Sequence, residues 1–463
     1  MFLKHFTIAA LVAIVSTQAF ALNEGLRYHL KSLEHGKAAA YRFDGSLRLT
    51  QDGFFPQKLS HDDPGSATFG QRFFIDSKYA TAGETAPVFY IICGEWNCDG
   101  TGSYSSVERL AKEVGAHLVA LEHRYYGESL PFRKLTTERL SHLNLEAAIA
   151  DLAVFQKHAM DHLNLKGKWI AFGGSYAGTL AAFYRLKHPE LVTGALASSA
   201  PVLVKAEFNE YDAHVASVIN QNTCGDMVRE AVAGIESRMV TREGTLAVKA
   251  LFNSSEVKND DDFLYVVADM LAAAVQYGRH TKFCNDLAAN PDRVAGYARA
   301  GINVLTSMGT TPLEISMQAA EEQNITPASY FRQWMWQSCL EFGWFQVANG
   351  TGVDTSRSSR IDLPYHDRVC ERLYGQGTTA DGALNATWYA PLFSPSTTNV
   401  IFTNGSNDPW LRLSIIPGVQ APNLDLLMID GAAHCNDLNA LSALPTVQAA
   451  QVRFGEIIKG WLL

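Results

Sequence analysis

Thirteen residues constrain this chain more than any others: Lys168-Trp-Ile-Ala-Phe-Gly-Gly-Ser-Tyr-Ala-Gly-Thr-Leu180. Residues 169–172 form a short apolar run with the composition of a buried strand. Two glycines, Ser175 and Tyr176-Ala177-Gly178 follow, and residues 179–186 then read as helix up to the region of Pro189, which has no N–H to continue it. Strand, tight turn and helix with a serine at the apex is the layout of a nucleophile elbow. Small neighbours permit the strained backbone that lifts the serine hydroxyl into the open. The N–H of Tyr176, at the start of the helix, would face an oxyanion formed at the attacked carbon. Ala177 stands where the motif's second glycine would fall, and alanine is small enough to fit. The bland alternative is a glycine-rich turn whose serine only caps the helix.

The surrounding pattern favours the elbow. Residues 68–76, 88–92, 117–121 and 192–197 read as strands, with helical spacing at 105–114 and 145–163 between them. This is a β-α-β-α-β series, hence α/β with a parallel sheet. Residues 50–63 read as polar and irregular. From residue 205 to 330 helical patterns dominate (226–240, 262–277, 292–304), as expected of a mostly helical cap inserted into the core. Strands return at 399–403 and 424–429, and 447–462 is a last amphipathic helix. The expected organisation is a signal peptide at 1–21, the first part of the core at 45–204, the cap at 205–330 and the second part of the core at 331–463.

A serine hydroxyl becomes nucleophilic only when a base takes its proton, and that base needs an orienting anion. In an elbow fold the partners follow later strands in the order Ser, Asp, His. Asp408 ends the turn after the strand at 399–403, and His434 follows the strand at 424–429. Taken singly, Asp408 before proline reads as a turn residue and His434 as a structural histidine. Taken jointly, Ser175, Asp408 and His434 form a candidate triad.

Compartment follows from the N-terminus and the cysteines. Lys4, the apolar residues 6–15 and Ala19-Phe20-Ala21 match a secretory signal, too short to span a bilayer. No membrane anchor is expected once it is removed. Seven cysteines suit an oxidising compartment, and their odd number leaves one unpaired or bonded to another chain. Cys93 and Cys98 are spaced so that a bridge is feasible. Asn253, Asn324, Asn349 and Asn385 are candidate glycosylation sites, whereas Asn404, beside the proposed catalytic loop, is expected to stay bare. The net charge of −9 argues against nucleic acid as a partner. His158 and His162 have the helical spacing of a zinc pair, but the glutamate of zinc peptidases is missing, and neither metal nor cofactor is expected.

Four segments, Gly173-Gly-Ser-Tyr-Ala-Gly178, Glu122-His-Arg-Tyr-Tyr-Gly127, Asn404-Gly-Ser-Asn-Asp-Pro-Trp410 and Ala433-His-Cys435, together resemble the S28 serine peptidases. The resemblance runs from about residue 57 to the C-terminus. It is nearest the thymus-specific branch, on Tyr176-Ala177, on Trp334-Met-Trp-Gln-Ser-Cys-Leu-Glu-Phe-Gly343 and on the cysteine after His434. It implies an α/β-hydrolase core with a helical cap, and cleavage of peptides after proline or another small P1 residue. Ser175 would then be the nucleophile, His434 the base and Asp408 the orienting carboxylate. The oxyanion donors would be the Tyr176 N–H and the loop at Gly94 and Glu95. The resemblance also implies disulfides Cys224–Cys284 and Cys339–Cys370, leaving Cys435 free if Cys93 pairs with Cys98. Two departures stand out: Cys93 and Trp96 replace glycines flanking the oxyanion segment, and Cys435 replaces a second histidine, which bears on exopeptidase specificity.

Trp410, Tyr176 and Trp336 are candidate walls of a proline pocket, and Glu341 or Glu95 candidate holders of a substrate's amino terminus. A secreted or endolysosomal setting is expected, with a homodimer as a candidate assembly. Work at mildly acidic pH would require His434 to titrate below its ordinary value of about 6.5. An exopeptidase is favoured over an endopeptidase. The rivals are a carboxylesterase or lipase of the same fold and a non-catalytic hydrolase-fold binding protein.

Overall fold

The computed structural model describes residues 50–221, 224–325, 330–350 and 352–463. The expected signal peptide lies outside them. Strands β3 (Val88–Ile92), β4 (His117–Leu121), β5 (Trp169–Gly174) and β6 (Gly194–Ser198) are buried along their whole length. They lie parallel at the centre of an eight-stranded sheet. Strands β1 (Thr50–Lys58) and β2 (Thr68–Asp76) precede them as an antiparallel pair at one edge, while β9 (Val400–Gly405) and β10 (Asp425–Ile429) extend the other. The order is β1-β2-β4-β3-β5-β6-β9-β10, and a small separate pair joins β7 (Lys205–Glu207) to β8 (Gly343–Phe345).

The continuous apolar runs follow from helices covering both faces. Helices α1 (Ser105–Val114), α2 (Leu145–His162), α3 (Tyr176–Lys187) and, near the C-terminus, a long helix at Pro445–Leu462 accompany the sheet. One core binds Phe89, Ile91, Leu118, Ile170, Phe172 and Ile401 from four strands to Phe454 and Ile458 of that C-terminal helix.

Two expectations need correction. The stretch expected to be irregular at 50–63 supplies β1 over its first nine residues. β1 is an edge strand, where Pro56 costs no ladder bond, so it lacks the alternation that marks a half-buried strand. Phe55 anchors it edge-on to Phe155 of α2 at 5.7 Å. The helical block also outruns residue 330. Helices α4 (Asn209–Gln221), α5 (Gly225–Arg238), α6 (Arg242–Leu251), α7 (Asp260–Gln276), α8 (His280–Ala288) and α9 (Arg293–Met308) are followed by α10 (Tyr330–Gln337) and α11 (Leu363–Tyr374) before the chain returns to the sheet at β9. Long-range ties hold α11 to the block: its Tyr365 and Arg372 bond Asp262 of α7 at 2.9 and 2.8 Å, and the Cys339–Cys370 disulfide crosses back towards α10. Disulfides also join Cys93 to Cys98 and Cys224 to Cys284, and Cys435 is free. Among the described residues no helix is long and apolar enough to cross a membrane.

Candidate active site

Ser175 sits between β5 and α3 at φ 59° and ψ −132°, a conformation that side-chain-bearing residues rarely adopt. The glycines before it make room for this. A Cβ on Gly173 would lie 2.0 Å from the Ala177 carbonyl oxygen, and one on Gly174 would lie 2.9 Å from the sulfur of Cys435. The second contact shows that the histidine loop rests directly on the elbow.

Asp408 is fully buried after β9 and divides its carboxylate between two donors. Oδ1 accepts the Trp410 N–H at 3.0 Å, and Oδ2 accepts from Nδ1 of His434 at 2.8 Å. In the neutral ring that bond places the proton on Nδ1 and leaves Nε2 a lone-pair acceptor. Nε2 is buried with no partner of its own. A buried orphan of this kind demands an explanation, and an incoming hydroxyl proton supplies one.

A dipeptide at the end of β6 couples the two loops. The Ser198 carbonyl accepts the Ser175 N–H at 2.9 Å, and the Ser199 hydroxyl accepts the Cys435 N–H at 2.9 Å. Asp437 completes the clamp by accepting from Ser198 Oγ at 2.5 Å and Thr403 Oγ1 at 2.7 Å. Sequence reasoning missed these residues. Their signal was faint: two serines closing a strand, and a carboxylate three residues after the histidine.

The segment Glu122-His-Arg-Tyr-Tyr-Gly127 forms the floor. The buried Glu122 carboxyl, pushed up to about 7 by burial, accepts from the N–H groups of Cys98 and Glu128 and the Ser129 hydroxyl. It thereby holds the Cys93–Cys98 loop in place. A Cβ on Gly127 would strike Glu122 Oε1 at 1.8 Å, hence glycine there. His123 meets the Tyr176 hydroxyl at 3.0 Å, and Arg124 forms a buried fork on Asp151 at 2.7 and 2.6 Å. Gly94 packs against Ala177, its Cβ position 3.3 Å from the alanine methyl, so the loop lies beside the start of α3. Glu95 is half-buried there, its carboxyl raised by burial while its own backbone N–H and the nearby His434 draw it back.

The expected pocket residues divide. The Tyr176 ring is buried, and its hydroxyl is fixed by His123 and Gln337. Trp410 stands 6.4 Å from His434 with its indole N–H on Gln276 Oε1 at 2.8 Å. Trp336 does not reach the site: it is buried, donates to the Leu143 carbonyl at 3.1 Å and packs edge-on to Tyr374. Residues two apart on a helix point to opposite sides, and the half-exposed Trp334 is the one facing Tyr176, at 5.9 Å. Glu341 is corrected too. Both its oxygens accept the Leu145 N–H, at 3.0 and 3.1 Å, so it caps α2, and burial pushes its carboxyl up to about 8. A mostly neutral carboxyl is a poor holder of an ammonium group. Glu341→Ala should therefore cost about 1 kcal/mol of stability, and Glu341→Gln, which keeps an acceptor, clearly less. A raised KM for free-amine peptides in the Gln variant, measured beside denaturant midpoints, would return Glu341 to the substrate.

Of the sequon asparagines, Asn253 and Asn324 are exposed. Asn349 and Asn385 already donate their amide nitrogens, to Asp354 and Val204. Asn404 is buried with its amide on the Ile415 carbonyl.

The strand order, the elbow closing β5 and the carboxylate–histidine pair beyond β9 and β10 make this an α/β-hydrolase of the serine type. Comparison with known proteins narrows the class. The chain belongs to the S28 family of serine peptidases, the family model described as serine carboxypeptidase S28 matching residues 57–453. It is 33% identical over 413 residues to the probable serine protease EDA2 of Arabidopsis thaliana, covering 86% of this chain and 83% of that one. Identity to the thymus-specific serine protease of Mus musculus is 30%, covering 97% and 95%. For the lysosomal Pro-X carboxypeptidase of Homo sapiens it is 28%, covering 88% of each.

Proposed function

We propose that this peptidase cleaves short peptides after proline or another small residue by an acyl-enzyme route, acting as an exopeptidase in a secreted or endolysosomal setting. The observation that carries the reading is the buried, partnerless Nε2 of His434, on a ring oriented by Asp408 and a loop tied to the elbow. Ser175 Oγ attacks the scissile carbonyl while Nε2 takes its proton. The oxyanion is met by the Tyr176 N–H and by the loop at Gly94 and Glu95. His434 then protonates the leaving amine, and a water activated by the same nitrogen releases the acyl group. Flat aromatic surfaces at Trp334, backed by the buried Tyr176, and at Trp410 suit a proline ring. The relative named lysosomal Pro-X carboxypeptidase supports the proline preference.

Mass spectrometry of products from a proline-containing peptide library, run beside Ser175→Ala, tests the reading. Fragments ending in proline, absent with the variant, are expected. Turnover of acyl esters but of no peptide would favour an esterase.

The pH profile follows from the pair. Burial favours the neutral ring, but the Asp408 carboxylate and the adjoining Cys435 outweigh it and hold His434 well above the ordinary imidazole value. Only the neutral ring is a base, so kcat/KM should climb along a limb above pH 6.5 and fall about tenfold per unit below it. This is opposite to the shift that acid activity requires, and favours a neutral, extracellular setting. A plateau already reached at pH 5 would reverse that assignment.

A further inference from the structure

Among the described residues only two aromatic side chains stay exposed, Trp96 at 53% and Tyr277 at 38%. Both stand beside the catalytic centre. Tyr277, at the end of α7, lies edge-on to the His434 imidazole at 6.2 Å. Trp96 follows Glu95 on the loop that Gly94 rests against Ala177, and the Glu95 carboxyl is within electrostatic reach of His434. Large apolar rings left in water at the mouth of a site are covered when a ligand arrives, and that is what favours their contact with it.

The two rings border different parts of the substrate. His434 protonates the leaving amine, so Tyr277 beside it borders the departing part of the peptide. Trp96 belongs to another strip. Its ring meets Tyr330 at 4.2 Å with the planes 55° apart. Tyr330 opens α10 one turn before Trp334, on the same face of that helix. The half-exposed Trp334 faces Tyr176 at 5.9 Å and Trp344 at 6.0 Å, and Trp344 meets Trp410 at 6.0 Å. The strip thus links the surfaces assigned above to the proline ring with the exposed Trp96.

The pair is also built to stay in place. The Cys93–Cys98 disulfide closes the loop on both sides of Trp96, and the buried Glu122 carboxyl accepts the Cys98 N–H at 3.1 Å. Helix α10 is pinned by Arg332, which donates to the Leu135 and Ala320 carbonyls at 2.8 Å, and by Gln333, which donates to the Tyr125 carbonyl at 2.9 Å. Two rings already in contact on fixed supports lose little freedom when a side chain settles on them.

We propose that Trp96 and Tyr330 form a subsite for an apolar or aromatic side chain of the substrate, on the acyl side of the scissile bond and two residues before the proline. This rests on the peptidase reading above. The side follows because the strip continues from the proline surface, while Tyr277 borders the leaving group. The spacing follows from the helix: the four residues from Tyr330 to Trp334 advance about 6 Å, and an extended peptide covers that distance in about two residues.

The test measures kcat/KM for tetrapeptides Xaa-Ala-Pro-Ala in which the first residue is Phe, Leu or Gly. The wild type is expected to favour Phe and Leu over Gly by about tenfold, the difference lying mainly in KM. In Trp96→Ala the three peptides should converge, and Trp96→Phe, which keeps a ring, should retain most of the preference. The gain from proline, read against Xaa-Ala-Ala-Ala, should be the same in the wild type and Trp96→Ala, because the Trp334 surface is left intact. Equal turnover of the three peptides by the wild type, a preference surviving in Trp96→Ala, or a Trp96-dependent preference found only in the series Ala-Ala-Pro-Xaa overturns the proposal. So does labelling of Ser175 by a fluorophosphonate probe without cleavage of any tetrapeptide. The wild-type comparison decides even if the Ala variant does not fold. Failure of the peptidase reading would look different, as no labelling of wild-type Ser175 and no cleavage of any peptide.

Discussion

Ser175→Ala is expected to lower kcat for peptide hydrolysis by about a million-fold, the scale seen when a triad nucleophile is deleted. The size follows from the route: without Oγ no acyl-enzyme forms, and only water held near the oxyanion donors remains to attack. Folding should survive, because the hydroxyl makes no cap bond to α3 and the strained φ of 59° is held by Ser198 and the flanking glycines. Peptide turnover within tenfold of wild type, in protein verified by intact mass, would remove Ser175 from the chemistry.

For Asp408→Asn the expected loss in kcat is about ten-thousand-fold. The carboxylate does two things that an amide does not. It receives the Nδ1 proton at 2.8 Å, which fixes the productive tautomer, and its charge stabilises the imidazolium formed as Ser175 attacks. Asparagine can present its NH₂ to Nδ1 instead, moving the ring proton to Nε2, where it blocks the base. A second readout separates this role from a structural one. Since Asp408 holds His434 above its ordinary value, the ascending limb of the residual pH profile should move to lower pH in the variant. A large loss of rate with an unmoved limb would make Asp408 a packing residue that shapes the loop through the Trp410 N–H.

Most of the sheet could be read in advance. Buried runs such as residues 88–92 and 169–172 declare themselves because both faces are covered, and the elbow because only small residues tolerate its backbone. The pairing of Asp408 with His434 was expected because each follows a late strand. The exceptions are instructive. The edge strand β1 carries a proline and no alternation, and helix α11 is tied back to the block by Asp262 and the Cys339–Cys370 bridge. In the site, Trp336 and Trp334 are chemically identical and two positions apart.

The sequence by itself determined the features set within a few residues: strand periodicity, turn chemistry and the elbow. Only the tertiary structure decided which tryptophan faces Tyr176, that Glu341 is consumed as a cap on α2, and that Ser198 and Ser199 tie the elbow to the histidine loop. The reason is physical. Backbone conformation responds to neighbours along the chain, whereas the use of a polar side chain depends on whether residues more than a hundred positions away have already satisfied it.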